Sequence, residues 1–307
     1  TSTPQSVKIQ SLNCTELFDV ASGPGVKLRF GPFFIELKSD DREFLELFQR
    51  CYYALDLERE NTVCHFRIRI MMQRKFAPRA SQQVQFDVDG QLPFEPYPRS
   101  HAFPMFEWGL NWCIATMSHH FLLLHCGVVA KEDRALVLPA MPGSGKSTLS
   151  AFYLDSGWRL LSDEFGIYDL TKRAFVPMPR PIPLKNESIT AAKAAGLRLE
   201  HGPLYENTRK GEVCHFYPEE HSLGYQRLNA HPKLIAFPSF QKAASLEVTR
   251  ELPHVVLTRL TNNAFNYMVC GEDSFRAATE LARDVPAYHL RYSEVDSAIA
   301  RIDELMR

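Results

Sequence analysis

A chain of 307 residues exceeds one typical domain and suits two, one of them large enough to bury a full core. The formal net charge is -1, with 45% hydrophobic and 23% charged residues and no run of like charges. That balance argues against nucleic acid as a partner, because gripping a phosphate backbone takes a basic excess.

The first thirty residues lack a basic start followed by an apolar core, which reads as no signal peptide. The apolar stretch 121–130 is interrupted by His125 and is too short to cross a bilayer, so no membrane span is expected. Seven scattered cysteines without a C-x-x-C pair read as reduced thiols in a cytoplasmic protein. Residues 26–38 mix Leu, Phe and Ile around Gly31-Pro32, as in strand, turn and strand. Over 40–57, Phe44, Leu45, Leu47, Phe48, Cys51 and Tyr52 recur at helical spacing behind an acidic start that suits the helix dipole. Phe66, Ile68 and Ile70 alternate with His65, Arg67 and Arg69 in a half-buried strand, and 84–94 reads as a hairpin turning at Asp89-Gly90. Prolines at 93, 96 and 98 mark a linker that divides a small α+β domain, 1–98, from a larger α/β domain, 99–307. The larger domain is expected to open with a buried helix over 103–117, then strands 121–130 and 134–139, a loop 140–147 and a helix to about Tyr153. Strands follow at 158–162, 165–169, 174–184, 234–240 and 287–292, and helices at 255–269, 272–284 and 293–306.

The strongest motif is Pro142-Gly143-Ser144-Gly145-Lys146-Ser147-Thr148, after an apolar strand and before a helix. Glycines let successive backbone N–H groups turn toward phosphate oxygens, and the helix N-terminus adds its dipole and unpaired donors. In such a phosphate loop Lys146 places its charge between the β- and γ-phosphates of ATP, and the Ser147 hydroxyl ligates Mg²⁺. Gly143, Ser144, Gly145 and Thr148 complete the nucleotide cradle; Ala140 stands where the general motif has its first glycine. Only 17 residues after Lys146, the apolar strand Trp158-Arg159-Leu160-Leu161-Ser162 ends in Asp163-Glu164. Alternation along an extended segment aims the two acids at different jobs, one on metal and one on the attacking hydroxyl's proton.

His125 in His125-Cys126-Gly127-Val128, the phosphate loop and the Asp163-Glu164 strand together resemble HPr kinase/phosphorylase in order and spacing. The wider chain is similar to the HPr-kinase-related "kinase A" group associated with exosortase systems. Supporting stretches are Glu107 to Cys113, Pro179-Arg180-Pro181 with Leu184-Lys185-Asn186, and Asn263 to Tyr267. The resemblance implies a phosphoenolpyruvate-carboxykinase-like P-loop kinase domain with a mixed sheet, and a homo-oligomer. It implies Asp163 as general base, Ser147 and Glu164 as metal ligands, and His125 near the γ-phosphate. Glu164 stands where the family has a second Asp, and Cys126 where it has Gly. The downstream glycine segment of true HPr kinases is missing, so neither HPr nor reverse phosphorolysis is implied.

Arg180, Lys185, Arg209 and Lys210 are candidate clamps for the transferred group, with prolines at 177, 179, 181 and 183 to stiffen the approach. His119, His120, His215 and His221 lack metal-ligand spacing, and Trp108 and Trp112 read as core. Three functions stay open: a kinase acting on serine of a protein or peptide, a kinase of a small hydroxylated metabolite, and a nucleotide-gated ATPase.

Overall fold

Period-two burial builds the first sheet. In the computed structural model, which describes residues 7–73, 78, 82–141, 143–218, 220–225 and 227–307, Leu28, Phe30, Ile35 and Leu37 are buried between half-exposed neighbours. After helix α1 (Cys14–Ser22), capped by Asn13 and Glu16, these residues form the hairpin β1 (Val26–Phe30) and β2 (Phe33–Ser39). Asp41 caps α2 (Arg42–Cys51), and β3 (Asp56–Leu57), β4 (Phe66–Gln73), β5 (Gln83–Val88) and β6 (Tyr97–Pro98) follow. Among the described residues they make one sheet in the order β3-β1-β2-β4-β5-β6, parallel only between β2 and β4. The helix expected over 40–57 is therefore shorter, ending before β3.

The expected linker is not a linker. Tyr97 and Pro98 pair with Val84 and Gln83 at the sheet edge, where a proline without an N–H is tolerated. Helix α3 (Ala102–Met117) then packs Phe106 against Phe30, Phe44, Phe48 and Tyr52, and Glu107 accepts the Tyr52 hydroxyl's hydrogen bond. A side chain on Gly109 would overlap the Phe86 ring. Trp108 and Trp112 cover Tyr97 and Phe94 edge-on. The chain accordingly divides into Thr1–Met117 and Ser118–Arg307, not at 98/99, because α3 completes the aromatic core of the first unit.

The second unit is α/β around a mixed sheet. Its elements are β7 (Phe121–Lys131), β8 (Arg134–Pro139), α4 (Lys146–Asp155), β9 (Arg159–Ser162), β10 (Phe165–Asp169), β11 (Ala174–Val176) and β12 (Ile182–Lys185). Then come α5 (Glu187–Ala194), β13 (His201–Thr208), β14 (Gly211–Phe216), α6 (Glu220–Gly224), β15 (His231–Phe240) and β16 (Glu247–Arg250). The chain ends with α7 (Pro253–Asn262), α8 (Tyr267–Asp284), β17 (Ala287–Tyr292) and α9 (Val295–Met306). The large sheet runs β11-β10-β7-β8-β15-β17-β16, with β9 also on β7; β8, β15 and β17 are mutually parallel and the rest antiparallel. Both faces are covered. Val129, Leu136 and Leu138 pack with Leu149 of α4 and Ile302 of α9, while Val128, Ala135 and Val137 pack with Val256 and Leu260 of α7 and Leu281 of α8. Burial on both sides explains the near-continuous apolar runs of β7 and β8.

The strand expected over 174–184 is two strands in two sheets. Pro177, Pro179 and Pro181 offer no N–H to a ladder, so β11 ends the large sheet and β12 joins β14 and β13 in a separate three-stranded sheet. Helices α7 and α8 break at 263–266, and α8 kinks at Gly271, whose φ is 57°. No helix of the described residues is long and apolar enough to cross a membrane. All seven cysteines are free.

Candidate functional site: the loop between β8 and α4

Three parallel strands, β8, β15 and β17, end together at the loop 140–145, the carboxyl edge where open α/β sheets bind ligands. Pro142 lies outside the described residues. Gly143 and Gly145 take φ of 85° and 93°, the left-handed region that glycine occupies without strain. The Phe240 N–H donates to the Ser144 carbonyl (3.0 Å), tying the loop to the end of β15. Helix α4 starts at Lys146, and its first intrahelical bond is Leu149 N–H to Gly145 O (3.0 Å). The amides of Lys146, Ser147 and Thr148 precede that bond, and no side chain of the described residues caps them. This end is therefore rich in donors.

Gly143, Ser144, Gly145, Lys146, Ser147 and Thr148 all line a cavity of about 630 Å³, together with Lys185, Asn186 and Lys210. Behind the loop, Lys146 donates to the Asp163 carbonyl and lies 3.4 Å from its Oδ2, which also accepts from the Ser147 hydroxyl at 2.6 Å. Both Lys146 and Asp163 are buried. Burial alone would push the Lys146 ammonium down; Asp163 and then Glu164 outweigh it, and the group is held above its ordinary value. Gly127 on β7 admits this packing, since a β-carbon there would collide with the Ser150 hydroxyl.

Glu164 stands on the other side. It lines the cavity with His125, whose Nε2 lies 3.4 Å from the Glu164 Oε2. Phe165 pairs with His125 across β10 and β7, and this register brings the two residues together. The 263–266 turn fixes the strand beneath: His125 N–H donates to Asn263 O (2.6 Å), Asn266 accepts from Leu123 N–H, and the Phe265 ring packs edge-on against His125. Burial pushes the Glu164 carboxyl up, but the His125 hydrogen bond and the ammoniums of Lys146, Lys185 and Lys210 hold it well below the usual carboxylate range. The positions of the two acids are thus the reverse of the expected ones. Asp163, expected at the attacking hydroxyl, sits behind the loop against Ser147; Glu164, expected on the metal with Ser147, faces the cavity.

No protein-family model matches the chain, and no curated protein matches it.

The candidate clamps separate. Lys185 and Lys210 line the cavity, whereas Arg180 is buried outside its wall and Arg209 is exposed on the β13–β14 turn. Asn186 organises this side: it donates to the Lys210 carbonyl (3.3 Å) and accepts from Glu212 N–H (3.0 Å), at a φ of 49° unusual for a non-glycine residue. Sequence reasoning gave Asn186 no role, and its backbone angle leaves no signal in the sequence. Arg159 of the acid-bearing strand is structural: its guanidinium donates to the carbonyls of Glu132, Leu228 and Asn229.

His215 of β14 is buried, and burial, then the cations of Arg180 and Lys185, lower its pKa to about 3. In the unfolded chain a histidine titrates near ~6.5. Between those values the unfolded state binds the extra proton, so stability is full above about 6.5 and declines as pH falls toward 3, by up to ~1.4 kcal/mol per pH unit. Denaturant midpoints at pH 7 and pH 4 should therefore differ more for the wild type than for His215→Gln. An equal acid loss in both proteins would contradict a neutral buried His215.

Proposed function

We propose that the second unit is an ATP-dependent phosphotransferase, of HPr-kinase-like type, that moves the γ-phosphoryl group to a hydroxyl acceptor. One observation carries the reading: a glycine loop at the carboxyl edge of parallel strands opens α4 with Lys146 and Ser147, and sets both beside Asp163 at the wall of a cavity. A nucleotide triphosphate needs that combination of backbone donors, one bridging cation and a carboxylate for metal.

The oxygens present fit Mg²⁺. Ser147 Oγ and the Asp163 carboxylate are hard donors, and Asp163 Oδ1 is buried with no hydrogen-bond partner among the described residues. Among those residues no group of three or more His, Cys, Asp or Glu gathers to hold a metal unaided, which suits an ion held partly by substrate phosphates. Ser147 and Asp163 would hold Mg²⁺, which when bound neutralises charge on the phosphate oxygens.

The remaining roles follow from placement. Lys146 supplies positive charge to the phosphate chain, and Lys185 and Lys210 add theirs from the same cavity. Glu164, oriented by His125, receives the acceptor's hydroxyl hydrogen bond and takes its proton as the acceptor oxygen bonds to the γ-phosphorus, while the bond from that phosphorus to the β–γ bridging oxygen breaks and ADP leaves. The acceptor is a serine of a protein or peptide, or a small hydroxylated metabolite. A slow ATPase is the second reading, because a glutamate facing the cavity also suits a water nucleophile.

Incubation with γ-labelled ATP, Mg²⁺ and fractionated cell lysate separates them. Label should appear in a polypeptide or in a small metabolite. Label found only in free phosphate, at a rate indifferent to the lysate, would favour the ATPase; no turnover in any fraction would remove the enzyme reading.

A further inference from the structure

Tyr292 is the last residue of β17 and the register partner of Phe240, the residue whose N–H binds the loop at Ser144. Its ring meets Phe240 edge-on, with centroids 5.8 Å apart, and its hydroxyl occupies the place where a β-carbon on Gly145 would stand. The side chain is 1% exposed, yet its hydroxyl has no hydrogen-bond partner among the described residues. The Ser144 hydroxyl, next in the loop, is buried and equally without one. Both residues line the cavity.

Buried hydroxyls are nearly always satisfied, so two orphans beside each other in one cavity, one on the loop and one at the end of β17, call for a cause. Both hydroxyls can donate, and they line the same cavity as the uncapped amides at the start of α4, so a ligand rich in acceptor oxygens would satisfy them together. A polyphosphate supplies acceptor oxygens and nothing else.

We propose that Tyr292 is a phosphate ligand of the nucleotide site, its hydroxyl donating to an oxygen of the chain held by the loop at Gly145. This rests on the phosphotransferase reading and adds to it a residue from β17, far from the loop in sequence and two strands from β8 in the sheet. Burial raises the pKa of the Tyr292 phenol, so the group remains a donor through the neutral range. Gly145 is fixed twice over, by its left-handed backbone and by the hydroxyl against it.

Calorimetric titration of wild type and Tyr292→Phe with MgATP and with inorganic tripolyphosphate tests it, alongside thermal melts of the proteins without nucleotide. Loss of a hydrogen bond to a charged group should weaken both ligands ~10-fold or more, with a melting temperature equal to or above that of the wild type. Wild type that binds neither ligand would overturn the nucleotide reading itself. Wild type that binds both, with Tyr292→Phe equal to it, would overturn this assignment alone. Weaker binding accompanied by a lower melting temperature would make Tyr292 a packing residue and also overturn it.

Discussion

If the second unit is the proposed phosphotransferase, Lys146→Met should lose phosphoryl transfer by about 10²–10³-fold or more and bind MgATP far more weakly, because it removes the cation that the loop would offer to developing phosphate charge. The structure adds a second consequence. Lys146 and Asp163 are buried against each other, so removing the ammonium leaves a buried carboxylate that keeps the Ser147 hydroxyl but loses its paired cation. Breaking a buried pair in this way typically costs ~3–5 kcal/mol, so the variant should also melt earlier. Lys146→Arg separates the effects. It keeps a cation beside Asp163 and most of the stability, but a planar guanidinium does not reproduce a compact ammonium on the phosphates, so transfer should stay low. A folded Lys146→Met with unchanged ATP affinity and turnover would sink the phosphate-loop assignment, whatever happened to its melting temperature.

The local parts of this site are legible in the sequence. Strand β8, the glycine loop and the start of α4 lie within one short segment, and each carries its own signal: an apolar run, punctuating glycines, and Lys146-Ser147-Thr148 opening a helix. The mixed sheet expected of the second domain is present as well. The parts that failed are those fixed at a distance. The β13–β14 hairpin, with its Pro203 and Asn207, shows a burial pattern too irregular for period-two reading, so the sheet that brings Lys185 and Lys210 to the cavity is invisible beforehand. Nothing local marks Tyr292, because its meeting with Gly145 depends on β17 lying parallel to β15. The first division was misplaced for a similar reason. Three prolines look like a linker until Tyr97 and Pro98 are seen to close the edge of a sheet.

The two acids illustrate the same point, and they carry the last prediction. Alternation along a strand was to aim Asp163 and Glu164 apart, but β9 stops at Ser162 and both acids lie in the bend before β10. The bend, held by the Phe165 N–H on the Ser162 hydroxyl (3.1 Å), turns Asp163 back to Ser147 and leaves Glu164 at His125. If placement sets function, Glu164→Gln should bind MgATP normally and lose transfer by roughly 10²–10⁴-fold, the usual worth of a positioned acid–base group. Asp163→Asn should instead raise the Mg²⁺ concentration needed for half-maximal rate, with part of the rate returning as the metal is raised. His125→Asn should fall between wild type and Glu164→Gln, since it removes the partner that orients the carboxylate but not the carboxylate. Metal titrations of turnover, run beside nucleotide titrations for each variant, decide the assignment. The opposite pattern, with Asp163→Asn slow at every Mg²⁺ concentration and Glu164→Gln rescued by metal, would restore the roles that the family resemblance implies. A Glu164→Gln protein that holds ATP unhydrolysed, beside a wild type that releases phosphate at the same rate with or without acceptor, would make Glu164 the residue that polarises water and the protein an ATPase.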